Sequence, residues 1–259
     1  MQLKRRVALG GVQLDSLDNR ILVTGIDEAA GKESISAVSM GYGSGQRITN
    51  QHRDTLDITV RFAMNIKNDD MAARSQLLDT VNNWARAGGW LTVGHRSGKQ
   101  LNVVLAQAPG GGDQFNWGND FTLVFRAYAV PYWEDVTATE TTMEGDAGSM
   151  PFTVPGSAET VADFAITNTS GSTIDSIELS SAGNIIKFTD LGLANNATLT
   201  IDHIRTAGVY AMRARIGEDS VMIKKGGSDE LILKPGSNSI SWDADGDISM
   251  VVSAKGRYL

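Results

Sequence analysis

The chain contains no cysteine, which excludes disulfide staples and thiolate metal sites and leaves the redox compartment unread. Proline is scarce, at five residues, and there are only three histidines. His52, His95 and His203 have no i,i+4 partners, so no helix-borne metal motif is present and no metal ligand is assigned. No run approaches the roughly 18 apolar residues of a membrane-spanning helix. Lys4-Arg5-Arg6 opens like a secretory leader, but Gly10-Gly11, Gln13 and Asp15 interrupt the apolar stretch behind it. The expectation is a soluble protein made in the cytoplasm. A basic excess is also missing. The net charge is −7, divided as −3 over residues 1–150 (14 basic, 17 acidic) and −4 over the rest (9 basic, 13 acidic). Sequence-independent nucleic-acid binding needs a basic face and is excluded. An even, mildly acidic surface suits a wall past which DNA slides without sticking, and suits plain solubility equally well.

What is present is glycine (28 residues) and many β-branched residues, the mixture of short strands and tight turns. The clearest strand covers 56–66, where Leu56, Ile58, Val60, Phe62, Met64 and Ile66 alternate with polar or small residues. Asn68-Asp69-Asp70 supplies a helix N-cap and an acidic first turn. Leu77, Leu78, Val81, Trp84 and Ala85 then recur at helical spacing until Gly88-Gly89, which predicts one amphipathic helix over 70–87. Strands follow at Trp90–Val93 and around Leu101, Val103 and Leu105, with a turn at Ser97-Gly98-Lys99; Ile21–Ile26 and Ile35–Met40 are weaker candidates. Residues 27–55 otherwise read as long polar loops.

In 121–135, Phe121, Leu123, Phe125 and Ala127 share one face, and Pro131 stops the ladder before Tyr132-Trp133-Glu134-Asp135. The polar stretch after it predicts a linker at roughly 136–150 and a boundary between domains 1–135 and 136–259. Beyond it, strands are predicted at 161–168, 176–180, 185–189, 198–202, 209–216, 230–234, 239–242 and 248–254, the rhythm of a sandwich. The last two read as a hairpin turning at Asp243–Asp247. Lys224-Lys225 beside Gly226-Gly227 reads as a solvated turn. The expected fold is mainly β in two domains: an α+β domain, with one helix on an antiparallel sheet or split barrel, then a β-sandwich.

No constellation carries chemistry. Gly41-Tyr-Gly-Ser-Gly45 lacks the following helix and Lys-Ser/Thr of a phosphate cradle, and Pro109–Gly112 fails the same test. Asp243-Ala-Asp-Gly-Asp247 resembles a calcium loop, but its glycine comes one position early and no closing Glu follows. Asp27 and Glu28 are adjacent on a strand-like segment, so they point to opposite faces and cannot flank one bond. No Gly-x-Ser-x-Gly elbow occurs. Trp242 and Tyr210 alternate with core residues, so they serve packing better than sugar stacking. The sequence therefore assigns no catalytic, cofactor-binding or metal-ligating residue.

The order and spacing of several segments resemble the distal tail proteins of long-tailed bacteriophages. They are Val23-Thr24-Gly25-Ile26, the 56–66 strand, the 71–87 helix, Trp90–Gly94 and the Phe121–Asp135 ending. Ile166–Gly171, Leu199–Asp202, Leu233–Asn238 and Arg257-Tyr258-Leu259 complete the set. The resemblance implies a virion protein, a hub between tail tube and tail tip or receptor-binding proteins. Residues 1–135 would build a hexameric ring around the DNA channel, and a galectin-like sandwich would point outward. It also implies no enzyme activity and no cofactor. On this reading the over-long loop 41–55 contributes to the ring contact. Rival readings are a carbohydrate-binding adhesin, a cell-wall hydrolase, and another tail tube or baseplate ring subunit.

Overall fold

A computed structural model describes residues 6–29, 31–39, 46–66, 70–109, 120–206 and 209–259, with backbone alone at 32, 51 and 206. The chain divides into two compact units, Met1–Trp133 with Arg205–Val209, and Glu134–Ile204 with Tyr210–Leu259. The first carries strands β1 (Val7–Leu9), β2 (Val12–Gln13), β3 (Ile21–Glu28), β4 (Lys32–Ser39) and β5 (Gln46–Met64). Helix α1 (Met71–Arg86) follows, then β6 (Gly89–Val93), β7 (Lys99–Gln107) and β8 (Asp120–Ala127). Short β9 (Trp133–Asp135) straddles the division.

The first unit is one curled antiparallel sheet in the order β2-β1-β6-β7-β8-β5-β3. Leu56, Ile58, Val60, Phe62, Met64 and Ile66 are all buried, as their alternation predicts. Helix α1 lays Leu77, Leu78, Val81 and Ala85 against that face, and the Trp84 ring meets Phe125 edge-on at 5.9 Å. Asp70 is its cap, the carboxylate accepting from the Ala73 N–H at 3.0 Å. No acid lies in the first turn, because Asp70 precedes it; Asn68 and Asp69 lie outside the described residues. Arg74, which polarity would place in solvent, is fully buried in the stripe.

The remaining differences in this half concern strand extents. Residues 46–55 are strand, not loop: β5 runs 19 residues, pairing with β4 before Leu56 and with β3 and β8 beyond it. The glycine stretch 41–45 lies outside the described residues. The β8 ladder ends at Ala127, four residues ahead of Pro131, so the proline follows the break and does not make it.

The second unit continues with β10 (Thr139–Val154), β11 (Thr160–Val161), β12 (Asp163–Asn168), β13 (Ile177–Ser181) and β14 (Asn184–Phe188). Then come β15 (Thr198–Thr206), β16 (Val209–Ile216), β17 (Asp219–Ser220), β18 (Lys225–Gly227), β19 (Ile232–Leu233), β20 (Gly236–Ala254) and β21 (Arg257–Tyr258). The order is β17-β16-β15-β12-β20-β13-β14-β18, with β10 along the other edge of β20. One apolar core fills it, including Phe152, Phe164, Phe188, Trp242 and Met250.

Two expectations are overturned here. The stretch 136–150 is no linker, since β10 pairs with β20 from Thr139↔Ala254 to Val154↔Gly236. Nor is there a hairpin at Asp243–Asp247, because β20 runs straight through it. The alternation of Ile240, Trp242, Ile248, Met250, Val252 and Ala254 was read correctly as one buried face. A continuous strand satisfies that parity as well as a hairpin does. The acidic segment instead forms a bulge in β20 opposite Gly145/Ala147, where its neighbour changes from β13 to β12.

Candidate assembly surface

Several of the polar groups singled out in the sequence have identifiable structural tasks. Asp27 and Glu28 do diverge. Asp27 holds Arg61 at 2.6 Å on the outer face, whereas Glu28 accepts a bidentate Arg96 guanidinium and His95 Nε2 at 2.5 Å. Burial raises the Glu28 pKa, but the hydrogen bonds from Arg96 and His95 outweigh it and hold the group below the ordinary glutamate value. His52 pairs with Asp54 at 2.9 Å, and His203 Nδ1 with Asp163 at 2.6 Å. Each histidine thus has its own carboxylate. No group of three or more His, Asp or Glu able to hold a metal exists among the described residues.

Asp243–Asp247 offers no ion cage, because the Asp245 carboxylate accepts the Asp175 and Ser176 N–H groups at 3.1–3.2 Å. Gly246 is there for room, a Cβ there falling 2.9 Å from Ser170. Lys224 and Lys225 are only partly exposed. Their ammonium groups donate to Leu191 O and Ser228 O at 3.0 and 2.6 Å. Of the glycine-rich Pro109 segment, only Pro109 lies within the described residues.

The aromatics of the second unit are used inward. Phe152, Phe164, Phe188 and Trp242 are buried, and the Tyr210 ring stacks on His203 at 5.6 Å. An open cleft of 520 Å³ beside Thr198, Thr200, Arg215 and Glu218 has no aromatic wall. On the same unit, Arg213 binds Asp202 bidentately; those hydrogen bonds, opposed by burial, keep the aspartate pKa low.

The motif residues prove to be turn organisers. Buried Asn168 donates to Ser172 O and Leu193 O, and its carbonyl accepts from Ser170 N. Asn238 similarly ties Lys234 and Gly236. The closing segment is a clasp. Arg257 Nε donates to buried Glu134 at 3.1 Å, the Tyr258 hydroxyl to Asp135 at 3.1 Å, and Ser157 N to Arg257 O at 2.8 Å. Sequence reasoning missed this Glu134–Arg257 pair, since nothing local connects residues 123 apart.

One mostly exposed surface stands apart. The ribbon of β4 with residues 46–55 pairs only with itself among the described residues. On it Ile35, Val38 and Ile48 are 56–58% exposed. An isolated two-stranded ribbon has little stability of its own in water.

The fold is thus a mainly β two-unit chain, with a helix-backed curled sheet in the first unit and a second β unit built on the long paired strands β10 and β20. The SPP1 Dit (gp 19.1) protein, described as a paradigm of the hub adsorption apparatus in phages infecting Gram-positive bacteria, shares this fold. Its TM-score is 0.69 at 15% identity, covering 98% of this chain and 99% of that one. A chain of the phage p2 baseplate in its activated conformation is also similar, at TM-score 0.46 and 8% identity over 90% of each chain. No family model matches the sequence. No curated protein matches it either.

Proposed function

We propose that the chain is a structural component of a phage tail, a distal tail protein that serves as hub between the tail tube and the tail tip or receptor-binding proteins. The observation that carries this reading is the agreement of both units, across the whole length of each chain, with the SPP1 hub protein. In the proposal residues 1–135 form a hexameric ring and 136–259 a galectin-like outer sandwich, with DNA passing through the ring without specific contacts. The even acidic charge supports that passage, because a basic bore would hold the phosphates. The protein works without catalysis or cofactor: its histidines and the paired acids Asp27 and Glu28 are committed to salt bridges that hold strands together.

Negative-stain electron microscopy of the purified chain tests the proposal. Discrete rings with sixfold class averages support it. Long stacked filaments would reassign the chain to the tail tube, and single unassociated particles at every concentration would overturn it.

A further inference from the structure

Negative charge is even along the sequence, but the fold gathers it. Strands β10 and β20 together hold six acidic and no basic side chains, net −6, whereas the rest of the chain holds 24 acidic and 23 basic, net −1. Asp245 is committed to the Asp175 and Ser176 N–H groups. Glu140, Glu144, Asp146, Asp243 and Asp247 are exposed, and none of them enters a salt bridge among the described residues. They lie beside an open ladder. β10 pairs with β20 along one edge from Thr139 to Val154, and its other edge makes no backbone hydrogen bond among the described residues. The same sheet ends elsewhere in β17 and β18, only two and three residues long, which is one way that sheets protect their edges. Pro151, with no N–H to give, weakens the second half of the β10 edge for a further strand; Thr139–Gly145 carries no such guard.

We propose that the first half of the β10 edge is a docking site for an extended basic segment of another protein, which joins the sheet as a further strand. Register dictates the pattern of that segment. Glu140, Thr142 and Glu144 are exposed on one face of β10, whereas Met143, on the other, is 1% exposed against the core. A strand laid alongside therefore puts every second residue beside the carboxylates, and the residues between them beside Thr141 and Met143. Lys or Arg suits the first set, and small apolar side chains suit the second. The open ladder is the site, and the carboxylates choose its occupant: outward acids repel an acidic strand and admit a basic one. The same charge disfavours a second copy of β10, whose own edge is acidic. The inference does not rest on the ring reading, since β10 and β20 both lie within the second unit.

Fluorescence anisotropy of the full chain with a labelled Lys-Val-Lys-Val-Lys-Val-Lys peptide tests this. The peptide binds, its Glu-Val counterpart does not, and Glu140→Gln/Glu144→Gln weakens binding about tenfold. A peptide N-methylated at its three central residues keeps every charge but loses N–H donors on both edges, so it separates ladder pairing from plain charge attraction; it fails to bind. Hydrogen exchange gives an independent reading: segments covering 139–147 exchange slowly only while the Lys-Val peptide is bound. The inference falls if the wild type does not bind that peptide, if the N-methylated peptide or the glutamine pair binds as tightly, or if 139–147 gain no protection. It falls too if 139–147 become protected as the chain alone is concentrated, because a second copy then occupies the edge. Should the glutamine pair fail to fold, the N-methylated peptide and the exchange measurement decide. None of these outcomes bears on the ring reading, which electron microscopy decides.

Discussion

Removing one end of the Glu134–Arg257 pair tests how the second unit is closed. The Glu134 side chain is 1% exposed and that of Arg257 11%, with 3.1 Å between Oε1 and Nε. At an effective dielectric constant near 20, the attraction across that distance is about 5 kcal/mol, and desolvation of both groups offsets much of it. The net value of the pair is therefore small, but the cost of stranding one charge is large. Glu134→Met leaves the guanidinium buried beside the Tyr210 ring, with Glu159 O at 3.4 Å as its remaining carbonyl. The expected loss is about 3–5 kcal/mol. For a unit of about 120 residues, unfolding entropy near 0.25 kcal/mol/K turns this into a fall of roughly 12–20 °C in Tm. Glu134→Met with Arg257→Met should lose less than the sum of the two single variants, because the Arg257 charge is no longer stranded. Calorimetry with urea titration closes the double-mutant cycle. A single-variant loss below about 1 kcal/mol, or a double variant no better than the sum of the singles, would refute the clasp.

Gly156 has φ +121°, and a Cβ there falls 2.4 Å from Arg257 O, so Gly156→Ala is expected to cost more than the roughly 1–3 kcal/mol of backbone strain alone; differential scanning calorimetry checks it. Asp70→Ala removes the α1 cap and should lose about 0.5–2 kcal/mol in urea unfolding, with Asp70→Asn retaining most of it. The folded Glu28 pKa lies below its unfolded value, so its stabilisation is present above the ordinary glutamate pKa and is lost as pH falls through the folded one. The urea-midpoint gap between wild type and Glu28→Gln should therefore shrink from pH 6 toward pH 3; a constant gap would show that the Arg96–His95 bridge does not set it.

Side-chain parity and helical spacing made the interior legible from sequence. The even residues of 56–66, the stripe of α1 and the inward residues of 240–254 were all read correctly, because burial imprints a period on the chain locally. The likeness to a phage tail hub was legible too, from the order of modest turn and strand segments. The surfaces were not. In β10 only Met143, Phe152 and Val154 are buried, and 46–55 has no fully buried side chain among the described residues, so the first read as linker and the second as loop, while Ile35–Met40 read only as a weak strand.

By itself, then, the sequence determined which residues turn inward. Only the tertiary structure decided how far each strand runs and what it pairs with. Ladder bonds join backbone N–H to backbone C=O, which every residue but proline supplies alike, so an exposed strand pairs fully while writing nothing into its side chains. The Glu134–Arg257 clasp follows the same logic: two charges 123 residues apart become partners once the fold excludes water from both.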